Sequence, residues 1–472
     1  MSGPPTPARV PVGVVDPRHL EPVVGPHRLR ELLDSARRVR ALLGSRPVVN
    51  VSSTATGGGV AELLQMLLGY ARGAGVAAEW RVITGSPEFF AVTKRIHNGL
   101  YGSPGDGGPL GAAERRIYER AIATNGDRPL GSIRRGDVVV VHDPQPAWLV
   151  PLLVDRGARV VWRCHVGIDA ANEWSERAWS FLRRYVEPAH AHVFSRASFV
   201  PGFLAGAPVA IIPPSIDPLS PKNASMSRPA QRTALAAAML LRRDGLGRSR
   251  RVTRHVHLLR EGGALPADGP IVVQVSRWDR MKDMRGVLDG FVEHVPPRLG
   301  ARLVLAGPAP TGVADDPEAA AVWDEMVERW HSLPTVARRR VQLALIPMDD
   351  PDENAYVVNA LQRHATVVVQ KSLAEGFGLT VAEAMWKSRP VVASAVGGIA
   401  DQIVDGESGV LLDDPSDLGA FGAAVARLLA DPAEARRLGR NARRRVRERF
   451  LPDRHLIQYA KLLADLAEAG SG

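Results

Sequence analysis

Two carboxylates and two cations, each pair set beside a turn, are the residues of this chain best suited to chemistry. Glu375 and Glu383 lie in KSLAEGFGLTVAEAMWKSRPVVASAVGG (371–398), with seven residues between them. A strand ends near Gln370, the turn EGFG follows, and a helix begins near Leu379. Glu375 is then on the loop and Glu383 about one turn inside the helix, so they reach different parts of one elongated ligand. A carboxylate accepts two hydrogen bonds from a diol, which suits sugar hydroxyls, and amides at a helix start suit phosphate oxygens. Helix-entry glutamates are also favoured by the dipole alone. The Gly-Gly turn at 397–398 and a matching upstream motif argue against that plainer reading. The upstream motif is VSRWDRMKD (275–283), in which Arg277 and Lys282, flanked by Ser276 and Trp278, follow a strand. Two fixed cations neutralise the charge developing on a diphosphate leaving group without a metal.

The first half offers looser signals. VSSTATGGGVAELLQ (51–65) reads as strand, triple glycine and helix, with Gly57, Gly58 and Gly59 allowing close backbone approach and positive φ. It is neither a Walker loop nor a GxGxxG fingerprint. Two strand ends, VHDPQP (141–146) and RCHVGID (163–169), bring Asp143, Gln145, His165 and Asp169 to candidate positions for reacting sugars. In EFFAVTKRIHNGLYG (88–102), His97 and Asn98 follow Lys94 by three and four positions, so all three share a helix face that could line an acceptor pocket. No HExxH, CxxC or carboxylate-rich metal motif occurs, and no Gly-x-Ser-x-Gly elbow.

Such residues need a scaffold that ends many strands on one side. Short β-branched runs alternate with helix-like stretches, the pattern of βαβ units and parallel sheets. The first set of strands is expected at 47–53, 78–85, 137–143, 158–165, 191–196 and 208–215. The second is expected at 271–276, 302–307, 341–347, 365–372, 390–398 and 409–413. Ligands in such sheets bind at the strands' carboxyl ends. The Pro- and Ser-rich stretch 213–229 reads as the connection between domains, followed by a helix around 230–243. The expected fold is α/β with two Rossmann-like domains facing a central cleft: 1–215, and 216–449, with 450–472 packing back on the first. The segment 220–269 reads as an insertion or mobile loop.

At 472 residues the chain is long enough for two such domains. With 45% hydrophobic and 23% charged residues it has a globular composition, and no apolar run approaches the ~18 residues of a membrane span. The Pro-rich start, MSGPPTPARV, lacks a signal-peptide core, and the single cysteine, Cys164, has no internal disulfide partner. A cytoplasmic location is the expectation. The net charge of +10 comes almost wholly from arginine, with seven between Arg242 and Arg260 and eight between Arg436 and Arg449. Few aromatics are interleaved and no zinc or helix-turn-helix pattern accompanies them, so these clusters read as solvated helix faces rather than a nucleic-acid surface.

EGFGLTVAEAMW with Glu375 and Glu383, together with Arg277 and Lys282, resembles the retaining nucleotide-sugar glycosyltransferases of the GT-B fold, the sucrose- and glycogen-synthase-like group. A narrower resemblance, to the trehalose glycosyltransferring synthases, spans residues 47 to 412. It is carried by NVSSTATGGGVAELL, WRVITGSPEFFAVTKRIHNGLYG, VHDPQPA, WRCHVGID, PPSIDPLSPKN, VVNALQRHATVVVQKSLAEGFGLTVAEAMWK and VGGI. The resemblance implies transfer of glucose from a nucleoside diphosphate glucose to glucose, giving α,α-trehalose with retention and without a metal or other cofactor. Retaining trehalose phosphorylases share much of the pattern, and the same transfer to a different acceptor is the other alternative.

By the same resemblance Glu383 holds the ribose hydroxyls and Glu375 those of the transferred glucose. Arg277 and Lys282 bind the diphosphate with the amides of Gly376, Phe377, Gly378 and Leu379. Gly58 and Gly59 approach the phosphate or donor sugar. His165 lies near the donor's reacting carbon and 6-hydroxyl, while Asp143 and Gln145, with Lys94 and Asn98, are acceptor-side candidates. The expected partners are a nucleotide-sugar donor and a small sugar acceptor, with a homodimer as an option and nucleic acid excluded. The Arg-rich stretch 230–268 looks longer than the corresponding connection in the family, and the match is looser at the start of DDPDENAYVVNA (349–360).

Overall fold

The computed structural model describes residues 9–56, 58–125, 133–243, 246–247, 249–310 and 318–468. The chain divides into two compact units, one of Met1–Ser215, Glu375–Phe377 and Phe450–Gly472, the other of Ile216–Ala374 and Gly378–Arg449.

In the first unit the strands are β1 (Arg9–Val10), β2 (Val48–Ser52), β3 (Ala78–Val82), β4 (Val138–His142), β5 (Arg159–Cys164), β6 (Ala191–Phe194) and β7 (Val209–Ile211). They form one sheet in the order β1-β3-β2-β4-β5-β6-β7. Only the short β1 runs antiparallel, on the edge beside β3. β2 and β4 are buried along their whole length, which is why they read as unbroken apolar runs. Alternate side chains serve two cores. Val139, Val141, Val160 and Trp162 join Phe89, Phe181 and Leu182 on one face. Val138, Val140, Val161 and Val193 meet Val39, Leu43, Leu463 and Leu466 on the other.

Four helices of this unit matter below: α1 (Pro26–Leu43), α2 (Gly59–Gly73), α3 (Pro87–Leu100) and the C-terminal helix Pro452–Glu468. The last of these is fastened to α1 by a bidentate pair, Arg28 Nε and Nη2 donating to Asp453 at 2.7 and 2.8 Å. Asp453 is fully buried, so the pair is charge-assisted in a dry setting. Arg454 Nη2 donates to the carbonyls of Pro213 and Pro214, and His455 Nδ1 lies 2.9 Å from Ser215 Oγ.

The second unit holds β8 (His257–Leu259), β9 (Ile271–Val275), β10 (Arg302–Pro308), β11 (Val341–Ile346), β12 (Val367–Gln370), β13 (Val391–Ser394) and β14 (Val410–Leu412), in the order β14-β13-β12-β9-β10-β11-β8. All pair in parallel except β8, which lies antiparallel on β11. Each of the twelve runs expected from sequence contains a strand; β1 and β8 are additions at the edges.

The stretch 242–260 departs from the helix-like reading. Its described residues run as loop and as β8. The reason is a buried carboxylate: Glu353 accepts from the amides of Thr253 and Arg254, each at 2.7 Å, and from Arg254 Nη1 at 2.7 Å, which needs an open backbone. The second arginine cluster does lie on a helix, Pro432–Arg449. Among the described residues no helix is long and apolar enough to cross a membrane.

Candidate functional site

Each sheet reverses its strand order once, and the candidate residues gather at those reversals. In the first unit the chain builds outward through β2 and β3, then resumes on the other side with β4, so the switch lies between β2 and β4. In the second it lies between β9 and β12. At such points the loops after two neighbouring strands diverge and leave a crevice at their carboxyl ends.

At the first switch, Asp143 follows β4 with a left-handed backbone, φ +66°. A non-glycine residue there is strained and persists only when its surroundings hold it. They do: its amide donates to Arg163 O (2.7 Å), its carbonyl accepts from Trp162 Nε1 (3.1 Å), and its Oδ1 accepts from the amide of His165 (2.7 Å). Burial raises the carboxyl's pKa to about 7, against the opposing pull of the His165 amide and the Arg163 guanidinium. Asp143 is therefore poised to exchange a proton near neutral pH. His165 follows β5 and is 9% exposed; its ring Nε2 lies 3.2 Å from His142 Nδ1. Burial first, then Arg163, His142 and His455, hold His165 well below the usual histidine range, so it is neutral. Gln145 Oε1 is buried without a hydrogen-bond partner among the described residues.

Gly58 caps α2 with an extended backbone (φ −170°, ψ 165°) and Gly59 is its first residue. Positive φ is thus not what these two glycines supply. A Cβ on Gly58 would meet nothing within 4 Å, so the protein's own packing does not demand glycine there. Gly57 lies outside the described residues. Lys94, His97 and Asn98 are half-buried on α3. Asp169 sits at the surface, where it pairs with Arg196 (2.9 Å) and accepts from Ser198 Oγ (2.8 Å), a structural task.

At the second switch, the loop after β9 carries Arg277, whose Nη2 lies 3.3 Å from Asp279 Oδ2. Trp278, fully buried, anchors this loop by donating from Nε1 to Pro308 O (2.9 Å). Lys282 ends a short 3-10 turn, and its carbonyl accepts from Gln274 Nε2 (2.8 Å). After β12 comes the glutamate turn, whose Glu375, Gly376 and Phe377 group with the first unit. Glu375 is 9% exposed, and the Phe377 ring packs edge-on to Phe450, 5.5 Å between centroids.

Gly378 takes φ +85° at the cap of the helix Leu379–Trp386, a conformation that glycine alone adopts cheaply, and no side chain caps that helix. Glu383 is 3% exposed inside the helix, with Lys222 Nζ 3.8 Å from its Oε1. One turn further, buried Lys387 donates to Gln362 Oε1 (2.6 Å) and Asn223 Oδ1 (2.9 Å). Burial lowers the Lys387 pKa to about 7, although Glu383 pulls the other way.

Sequence reasoning missed Lys222, Lys387, His142 and, on β2, Asn50, whose Oδ1 lies 3.0 Å from His142 Nε2. Lys387 follows Glu383 by four positions, a spacing that places both on one helix face. Lys222 and Asn223 stood in the PPSIDPLSPKN stretch with no assigned task. Among the described residues no group of three or more His, Cys, Asp or Glu is placed to hold a metal ion.

Comparison with known proteins fits this geometry. A family model described as trehalose synthase, N-terminal domain, matches residues 50–201, and one for glycosyl transferases group 1 matches residues 350–445. The chain is 36% identical to a trehalose synthase of Rubrobacter xylanophilus, over 93% of this chain and 94% of that protein. A trehalose phosphorylase of Pleurotus pulmonarius is more distant, 27% identical over 88% of this chain and 56% of the relative. In three dimensions an α,α-trehalose-phosphate synthase (UDP-forming) from Burkholderia vietnamiensis aligns with TM-score 0.65 at 15% identity, covering 90% of this chain and 99% of that one, which shows the GT-B fold. The chain belongs to the trehalose synthase family of GT-B-fold glycosyltransferases.

Proposed function

We propose that this enzyme moves glucose from a nucleoside diphosphate glucose to free glucose, forming α,α-trehalose with retention at the anomeric carbon. The observation that carries the reading is the pairing of Arg277 and Lys282 at one switch point with the uncapped helix behind Gly378 and the buried Glu383. Fixed cations and helix amides suit a diphosphate, and a buried carboxylate suits the ribose diol. A ribose ligand at Glu383 favours a nucleotide donor over inorganic phosphate.

In this scheme Arg277 and Lys282 stabilise the departing nucleoside diphosphate, and Glu375 holds hydroxyls of the transferred glucose. His165 faces the sugar near its reacting carbon, and Asp143 and Gln145 receive the acceptor. Lys94 and Asn98 line the acceptor side. The acceptor hydroxyl attacks from the face the diphosphate leaves and gives its proton to a departing phosphate oxygen. The C1–O bond to phosphate breaks as the C1–O bond to the acceptor forms, so no enzymic nucleophile is consumed. With two cations in place the reaction needs no metal ion.

The test is product analysis with purified enzyme, glucose, and ADP-, UDP- or GDP-glucose in separate tubes containing EDTA. Trehalose plus free nucleoside diphosphate is the expected result. Donor hydrolysis without trehalose would move the acceptor assignment elsewhere, and breakdown of trehalose by added phosphate without use of any donor would replace this reading with phosphorolysis.

A further inference from the structure

Behind His165 lies a second buried histidine, His142, with its Nδ1 3.2 Å from His165 Nε2. In a parallel sheet alternate side chains share a face, and Asn50 on β2, His142 at the end of β4 and His165 after β5 converge on the face covered by α1, α2 and the C-terminal helix. There they border a cavity of about 100 Å³ whose wall is otherwise almost wholly apolar, with Leu64, Leu68 and Leu463 among its members. Asn50 and His142 are 5% and 3% exposed.

The orientation of the Asn50 amide sets the direction of the chain of hydrogen bonds. Asn50 Nδ2 reaches the carbonyl of Val48 at 3.5 Å, which turns Oδ1 toward His142 Nε2, 3.0 Å away. An amide oxygen only accepts, so the proton of a neutral His142 sits on Nε2 and its Nδ1 is a bare lone pair. Burial, helped by the Arg163 guanidinium, pushes the His142 pKa down to about 3, so the ring is neutral across the working range. The lone pair on Nδ1 then requires a proton on His165 Nε2, 3.2 Å away. His165 is also neutral, so its Nδ1 is left as an acceptor.

We infer that Asn50 and His142 are positioning residues that lock His165 in its Nε2–H tautomer, so that Nδ1 accepts a hydrogen bond from a hydroxyl of the transferred sugar. This rests on the reading above that His165 faces the donor glucose. The titratable and charged groups around His142 are His165 and Arg163 from β5 and its end, Asp143 after β4, and His455 and Tyr459 from the C-terminal helix. α1 and α2 add only apolar side chains and Ser35 to the cavity wall.

Asn50→Asp tests the lock. A carboxylate beside Nε2 favours the His142 imidazolium, so falling pH adds a proton to His142 Nδ1. That nitrogen then donates to His165 Nε2, drives the His165 proton to Nδ1 and removes the acceptor. The ratio of variant to wild-type kcat/KM should approach one at high pH and fall by up to about tenfold per pH unit below a new inflection. Asp143 titrates in both proteins and cancels in the ratio. His142→Phe should lose about tenfold, and His142→Gln, whose amide can both accept from His165 and donate to Asn50, should recover part of it. Imidazole nitrogen-15 spectra, with His165 assigned through His165→Gln, should show a wild-type ring protonated at Nε2 alone. A ring protonated at Nδ1, or averaging between tautomers, would overturn the lock. A pH-independent ratio with the Nε2–H tautomer present would overturn the acceptor role of Nδ1. Absence of donor turnover by the wild type would instead overturn the proposed function, with the spectra still deciding the lock.

Discussion

Asp143→Asn should make this protein more stable and less active, and the gain should depend on pH. The substitution keeps the shape, keeps Oδ1 as acceptor for the His165 amide, and suits the left-handed backbone, which asparagine tolerates well. It removes only the capacity to ionise. The carboxyl pKa rises from its ordinary 3.8 to about 7 on folding. Below 3.8 the group is protonated in the folded and unfolded chain alike, so it carries no penalty. Between 3.8 and about 7 the unfolded chain ionises while the folded one does not, so folded stability falls as pH rises. Above about 7 the loss is complete.

A shift of roughly three units at about 1.4 kcal/mol each gives a penalty on the order of 4 kcal/mol, or roughly 10 °C in Tm for a unit of this size. Thermal melts of both proteins at half-unit steps from about pH 4.5 to 8.5 would show the Tm difference growing and then reaching a plateau. Turnover, followed by nucleoside diphosphate release, should fall roughly ten- to a hundredfold, the scale of a lost hydrogen bond between the acceptor and a charged group. A Tm difference that is flat with pH would refute the burial argument. Unchanged turnover would refute the placement of Asp143 at the acceptor.

Arg277→Ala and Lys282→Ala should each lower kcat about a hundredfold or more while leaving the melting curve nearly unchanged, because neither side chain is buried; near-wild-type rates in both would remove the diphosphate assignment. Gly378→Ala forces a side chain onto φ +85° and should cost about 1–2 kcal/mol, with weaker nucleoside diphosphate binding by calorimetry. An unchanged Tm there would show that the turn relaxes without the left-handed residue. The fully buried Cys164 thiol, its pKa pushed up by burial and donating to Val166 O at 3.2 Å, should resist maleimide until the protein unfolds. Fast labelling of the native enzyme would contradict its burial.

The one-dimensional record determined what depends on local pattern. Strands buried on both faces read as apolar runs at their true positions, and EGFG announced a turn and a helix start near Leu379, where the structure begins a helix behind Gly378. Charge and spacing also singled out Arg277, Lys282, Glu375 and Glu383. Where composition was the only guide the reading failed: residues 242–260 looked helical by their arginines, yet a buried carboxylate about a hundred positions away, Glu353, pulls their amides into a loop. β8 went unseen because a three-residue edge strand takes its stability from its partner, β11, rather than from its own pattern. Only the tertiary structure decided the protonation of the site. Asp143 and His165 titrate far from their ordinary ranges because the sheet buries them, and His142 meets Asn50 from a strand some ninety positions distant. Burial and hydrogen-bond direction are properties of what surrounds a residue, and those surroundings are assembled from segments that carry no mark of one another in sequence.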